Sequence, residues 1–372
     1  MNVGYFFWGY LGDKKYNDKG EEVSTPDGNA FYSWSIINQL LKNGDKVYQA
    51  PIDRDNIGFE KFGKNLFNSF ATENRYKSYI HTNRYCYRFD EKLDYAILDY
   101  AIIEWRWIIP NRNDSITKEK NYNNWQPDYE MMTEFINYCN LNYIPFVIFD
   151  LDYKLTEDDI KKYNIKYVIE LGNKWSKSTL VKSTRVEIPF DFTVINEKPI
   201  KMNDFTSNVI YIGNRYERDW CVEKYLPDNT VIHGNWLESG RQSDKDYPQF
   251  IFRKRLNASE IFEPYNGAVC TVLLAKKEYC EMGFMTARLI ESVFYGTVPL
   301  FPEEFGNEVI QKYAGKYWEM LKVKNKDEVS FKSGLFRSNT NLRKEIILYL
   351  RKHLRFMDSK FFINDIEDLI KK

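Results

Sequence analysis

Three groups of residues in this 372-residue chain have the types and spacing to act on a charged, hydroxylated ligand. The first lies in EMGFMTARLIESVFYGTVPLF, residues 281–301, where Arg288 and Glu291 stand three apart and share one helical face. A guanidinium there can neutralise a diphosphate, and a carboxylate can accept hydrogen bonds from both hydroxyls of a ribose. As a plain helix ion pair the two side chains would contribute only about 0.3–0.5 kcal/mol. The second group is YIGNRYERD, residues 211–219, in which Gly213 and Asn214 end an apolar run and Arg215 and Arg218 follow. Glycine lets backbone approach a ligand closely, and two arginines at a strand-to-helix junction suit a pyrophosphate. The same arginines could instead pair with Glu217 and Asp219. In VIHGNW, His233 stands at another strand end, as a base contact or as a structural histidine. The third group is acidic and lies in the first half. FVIFDLD ends on Asp150 and Asp152, and IIEWRWIIPNRN sets Glu104, Arg106 and Arg112 after an apolar run. Group transfer to a hydroxyl by an inverting route needs a carboxylate to orient or deprotonate it. Asp152 is the first choice and Glu104 the second, while Asp150 also reads as a helix cap. Gly28, in Asp27-Gly28-Asn29, precedes a helix and is a candidate to approach the transferred group.

These residues need strands and helices to hold them, and the hydrophobic pattern supplies both. VGYFFW reads as a first strand, and Phe31, Trp34, Ile37 and Leu41 mark one face of the following helix. Gly44 terminates that helix, KVYQA is the next strand, and LDYAILDYAIIEW, YIPFVIFD and KYVIEL supply more. Residues 182–204, with Pro189 and Pro199 and little periodicity, read as a linker. A second alternating series runs through NVIYIG, TVIHGNW, GAVCTVLLA, the helix of TARLIESVFYG and the strand TVPLF. LRKEIILYLRKHLRFM and KFFINDIEDLIKK read as amphipathic helices. The expected class is α/β, two Rossmann-like domains facing a central cleft, with ligands at the carboxyl ends of parallel strands. The expected domains are 1–190, 191–345, and 346–372 as a helix packing back on the first domain.

At about 150 residues per domain, the length suits two. Lys+Arg and Asp+Glu number 53 each, giving a formal charge of +0, so global charge alone does not hold a polyanion to this surface. Aromatics reach 17%, enough for a large core with surface left to stack on flat ligands. The five cysteines and three histidines form no CxxC pair or cluster, which argues against a disulfide framework or structural zinc. No run approaches 18 apolar residues, and the first residues read as a strand rather than a signal peptide, so a soluble, cytoplasmic monomer is expected. No GxGxxG follows the first strand, which disfavours dehydrogenase chemistry.

The stretch 281–301 resembles the donor-binding segment of GT-B glycosyltransferases, with a glycine-containing turn, a helix bearing an acidic residue, then small-x-x-Pro-hydrophobic. The family's E-x7-E is here Glu281-x9-Glu291, and the Arg288-x2-Glu291 pairing is closer to bacteriophage DNA glucosyltransferases. Those enzymes move glucose from UDP-glucose to hydroxymethylated bases. The resemblance implies a UDP-sugar donor and no required cofactor, with a divalent metal possible but not expected. It implies that Gly213, Asn214, Arg215, Arg218, His233, Arg288 and Glu291 bind the donor, with Gly28 near its sugar. Asp150-Leu151-Asp152 also mimics the metal-holding DxD of GT-A enzymes. That reading leaves the second half without a role and ranks below GT-B.

The acceptor rests on less. Between Tyr76 and Arg112, Lys77, Arg84, Arg88, Lys92, Arg106 and Arg112 alternate with Tyr79, Tyr85, Tyr87, Trp105 and Trp107. Basic groups among aromatics suit phosphate contacts and stacking on an extruded base, and also describe a buried aromatic strand with solvated flanks. The run FIFRKRLNASE, 250–260, reads as a basic stretch along a cleft or as an exposed helix. Double-stranded DNA carrying a hydroxymethylpyrimidine is the expected acceptor. A surface glycan or spore-coat component is the alternative, and a two-domain small-ligand binding protein is the non-enzyme alternative.

Overall fold

The computed structural model describes residues 1–6, 28–50, 86–88, 98–105, 132–133, 135–151, 153, 155–172, 180–193, 197–237, 242–256 and 260–371. The chain forms two compact units, Met1–Asp191 with Met357–Lys372, and Phe192–Phe356.

The first unit holds a seven-stranded sheet in the order β3-β2-β1-β4-β5-β6-β7. Its strands are β1 (Asn2–Phe6), β2 (Lys46–Ala50), β3 (Cys86–Arg88), β4 (Tyr100–Trp105), β5 (Phe146–Asp150), β6 (Tyr167–Leu171) and β7 (Lys182–Val186). Every pairing is parallel. All residues of β4 and β5 are buried, as expected when helices cover both faces of a parallel sheet. The helix Gly28–Lys42 ends at Gly44, whose φ of +85° closes the turn into β2. The helix Glu157–Lys162 starts with a reciprocal capping box between Thr156 and Asp159. The helix Ser359–Lys371 packs on Gly28–Lys42 and on β5, β6 and β7, with the Phe362 ring 5.1 Å from that of Phe149.

The second unit holds a six-stranded sheet in the order β10-β9-β8-β11-β12-β13. These are β8 (Ser207–Ile212), β9 (Val231–His233), β10 (Ile251–Arg253), β11 (Ala268–Val272), β12 (Val298–Pro302) and β13 (Lys322–Val323), again all parallel. The first six strands of each unit thus repeat the Rossmann order 3-2-1-4-5-6, which places a topological switch point beside β1 in one unit and β8 in the other.

Two sequence expectations change. Lys182–Val186 is an edge strand rather than linker; paired on one side only among the described residues, it exposes two of its five residues, half-buries two more and shows no apolar run. Ile251–Arg253, read either as part of a basic stretch along a cleft or as part of an exposed helix, is β10, likewise at an edge.

Candidate functional site

In the second unit, β8 leads through Ile212 into Gly213 at the switch point, and the neighbouring backbones hold that glycine in place. Its N–H donates to His233 O at 2.9 Å, and its carbonyl accepts the Trp236 indole N–H at 2.7 Å. A Cβ at Gly213 would lie 2.6 Å from the Tyr211 hydroxyl and 2.8 Å from Arg288 Nη1, so only glycine fits between these side chains. Gly234 is constrained too: its φ is +152° and a Cβ there would fall 2.1 Å from the Gly213 carbonyl.

Arg288 begins the helix Arg288–Phe294 and reaches across the end of β11, where Nη2 donates to Leu274 O at 2.7 Å. Its guanidinium lies 5.6 Å from the centre of the Tyr211 ring, a cation–π contact. Arg218 is only 7% exposed, and its Nη1 donates to Tyr216 O at 2.6 Å. Burial pulls its guanidinium below its ordinary value, with the positive charge of Arg288 adding to the effect. Both arginines keep a buried Nε–H without an acceptor, and the buried hydroxyls of Tyr211 and Tyr265 are also without partners. Burial, with the charge of Glu291 adding to it and that of Arg288 opposing it, holds the Tyr265 phenol well above its ordinary value, hence neutral. A buried donor left unmatched costs about 1–3 kcal/mol. Two like-charged guanidiniums and two hydroxyls sharing that cost form a site suited to an oxyanion with several acceptor oxygens, such as a diphosphate.

The other expected donor residues divide. Glu291 is half-buried in the first turn of the Arg288 helix, and Asn214 is half-buried in the loop after β8. Arg215 is committed elsewhere: it pairs with Asp219 at 2.7 Å and Asp246 at 2.6 Å, and stacks on Tyr247. Those two carboxylates compensate its charge, which leaves Arg218 and Arg288 as the cationic pair at the switch point. The His233 Nδ1–H donates to Lys254 O at 3.1 Å, and burial holds the ring below its ordinary 6.5, hence neutral at pH 7. That is the structural reading of this histidine. Sequence reasoning missed Tyr211 and Tyr265, buried tyrosines that read as parts of apolar runs. It also missed Lys276, which follows β11, pairs with Glu217 at 3.0 Å and sits over the Tyr216 ring.

In the first unit Gly28 opens the helix Gly28–Lys42. Glu104, 1% exposed near the carboxyl end of β4, accepts the Tyr5 hydroxyl at 2.6 Å, so strands β1 and β4 meet there through their side chains. Asp150 ends β5 and accepts the Leu155 N–H at 3.2 Å; it holds the loop before the helix Glu157–Lys162, whose N-cap is Thr156. Trp105 corrects the acceptor expectation: it is fully buried and packs edge-on against Tyr163, so its ring offers no face for stacking. Its position on a strand covered on both faces is the reason. Asp152, Arg106, Arg112 and Trp107 lie outside the described residues. Among the described residues no three His, Cys, Asp or Glu side chains gather as a metal site, and the donors at the switch point of the second unit are cationic or hydroxylic, a set suited to anions. No helix of the described residues is long and apolar enough to cross a membrane.

No family model and no curated protein matches the chain. Solved structures do. T4 phage BGT in complex with UDP and Mn2+ is 15% identical, with a TM-score of 0.51 and 100% of each chain covered. Anabaena HepE in complex with UDP-glucose is 8% identical, with a TM-score of 0.50, covering 100% of this chain and 99% of that one. The likeness to both spans essentially the whole length, and the two parallel α/β units with their repeated strand order have the GT-B fold.

Proposed function

We propose that this chain is a glycosyltransferase that moves a sugar from a UDP-sugar to an acceptor hydroxyl, and that its second unit holds the donor. The observation that carries this reading is the pair of buried Arg218 and half-buried Arg288, each with a buried, unmatched Nε–H donor, at the β8 switch point. In the reaction the acceptor oxygen bonds to the anomeric carbon as the bond from that carbon to the diphosphate oxygen breaks, and the electron pair leaves with UDP. Arg218 and Arg288 neutralise the charge that grows on the diphosphate. Glu291 accepts hydrogen bonds from the ribose, and Gly213 gives the diphosphate access to backbone. The acceptor proton goes to a carboxylate of the first unit, Asp152 or Glu104, in an inverting reaction. Because the arginines carry the charge, donor binding persists in EDTA.

The acceptor in this reading is a hydroxymethylpyrimidine in duplex DNA. The phage-like Arg288-x2-Glu291 spacing and the full-length likeness to a phage protein that binds UDP support it. So does the mixture of basic and aromatic residues between Tyr76 and Arg112, Trp105 excepted. With labelled UDP-glucose and hydroxymethylated DNA, label is expected on the DNA. Label that reaches only a glycan acceptor overturns the DNA part, and absence of UDP binding overturns the donor assignment.

A further inference from the structure

The helix Arg288–Phe294 is only seven residues long, yet Arg288 and Glu291 depend on its placement. Such a helix has little stability of its own. Its far end is gripped by two buried arginines of the helix Thr340–His353. Arg351 donates through Nε to Val293 O at 3.1 Å, and through Nη2 to Phe294 O at 2.8 Å and Lys198 O at 2.7 Å. About two turns earlier in the same helix, Arg343 donates to Gly296 O, to Lys201 O at 2.6 Å and to Ala268 O at 3.1 Å. Arg343 is 0% exposed and Arg351 6%. Burial lowers both guanidiniums from their ordinary value, yet nearly every acceptor they use is a backbone carbonyl; among the described residues the carboxylate near either is Glu197, 3.9 Å from Arg351 Nη1.

A buried arginine is a costly way to pack a helix, since its charge must be desolvated and an apolar side chain would do the same packing. Here the planar fork does what an apolar group cannot. It satisfies the terminal carbonyls of the donor helix and ties them to 198–201, the stretch by which the chain enters this unit. The same stretch is held from other directions. Lys198 N–H donates to Phe294 O at 3.2 Å, and a Cβ on Gly296 would lie 3.6 Å from Ile200 Cα. Phe192 packs 5.2 Å from Phe294, and Arg355 lies over both rings while pairing with Glu197 at 2.6 Å.

We propose that Arg351, assisted by Arg343, is a positioning residue for donor binding: it fixes the carboxyl end of the Arg288 helix against residues 198–201 and thereby sets where Arg288 and Glu291 stand. The proposal rests on the donor assignment above.

The test is UDP affinity by calorimetry on the full chain for wild type, R351K, I347V, R288A and R288A/R351K. Lysine keeps the charge and most of the stem but loses the fork. Ile347, fully buried on the same helix, reports the effect of lost packing alone. R351K is expected to weaken UDP binding about tenfold and raise the donor KM in step, with kcat at saturating donor within about twofold. I347V should lower Tm comparably and leave affinity within about twofold. In the R288A background R351K should add less than about twofold, because the residue through which it acts is gone. Amide exchange at 289–296 should quicken in R351K and not in I347V. The proposal is overturned if R351K and I347V bind UDP alike, or if the R288A and R351K losses multiply. Wild type that fails to bind UDP removes the donor assignment itself, and this proposal with it.

Discussion

Gly213→Ala tests the construction of the proposed donor site at its tightest point. The backbone at Gly213 lies outside the left-handed region, so alanine is unstrained and the effect comes from packing alone. The new methyl would meet the Tyr211 hydroxyl at 2.6 Å, Tyr211 Cζ at 2.9 Å and Arg288 Nη1 at 2.8 Å. Real Cβ contacts of this kind sit about 0.7 Å or more farther out, at normal van der Waals separation. Tyr211 is fully buried in β8 and cannot swing away, so the guanidinium and ring must shift together. Overpacking of this kind costs about 1–3 kcal/mol, which for a unit of this size is about 2–12 °C in Tm. Donor affinity should fall about 10- to 100-fold, as expected when charge-assisted hydrogen bonds worth about 1.5–3 kcal/mol are misplaced. Tyr211→Phe removes the nearest atom, which is also a buried hydroxyl without a partner, so the double variant should regain at least about half of the lost Tm. Calorimetric unfolding and UDP titration on the single and double variants measure both quantities. A Gly213→Ala protein with wild-type Tm and wild-type UDP affinity would refute the reasoning, as would strict additivity of the two substitutions.

Arg288→Ala is expected to weaken UDP binding about 10- to 100-fold, whereas Arg215→Ala, whose charge Asp219 and Asp246 already offset, should change it less than about threefold by the same titration. Glu104→Gln and Asp152→Asn separate the two carboxylates: the one that takes the acceptor proton should lose about 100-fold or more in kcat with donor affinity preserved, read in steady-state transfer. His233 is held below its ordinary 6.5 in the folded chain, so the unfolded chain binds more protons there. Stability from this residue is therefore complete above about pH 6.5 and is lost as pH falls below it, and His233→Gln should flatten that part of a Tm-against-pH curve. If DNA is the acceptor, the logarithm of its binding constant should fall linearly with the logarithm of salt concentration, while UDP binding should respond far less.

Both Rossmann halves were legible because the periods were clean: long apolar runs marked interior strands, and a glycine such as Gly44 marked a helix end. The misread segments share one physical cause. Lys182–Val186 and Ile251–Arg253 are edge strands, which bury too few residues to carry a pattern and so resemble linker or exposed helix. At the site, spacing brought Arg215, Arg218 and Arg288 forward but could not rank them. Which arginine is buried and which is offset depends on Asp246, Ser243 and Tyr247, far along the chain from Arg215. Tyr211 and Tyr265 were hidden because a tyrosine inside an apolar run looks like any other core aromatic. Trp105 was misassigned for the converse reason: basic neighbours suggested a surface, while the strand it belongs to is covered on both faces.

The first unit is built from two stretches of chain that synthesis makes far apart in time, Met1–Asp191 and Met357–Lys372. When the early stretch leaves the ribosome, the faces of β5, β6 and β7 and of the helix Gly28–Lys42 that receive Ser359–Lys371 are bare, and they remain so while Phe192–Phe356 is made. The second unit, continuous in sequence, can close first. A nascent chain therefore carries an incomplete apolar surface for as long as Phe192–Phe356 is being made, and chaperones that shield such surfaces should engage it in that interval. A premature stop just before Met357 would spare Phe192–Phe356 and leave the first unit without the helix Ser359–Lys371.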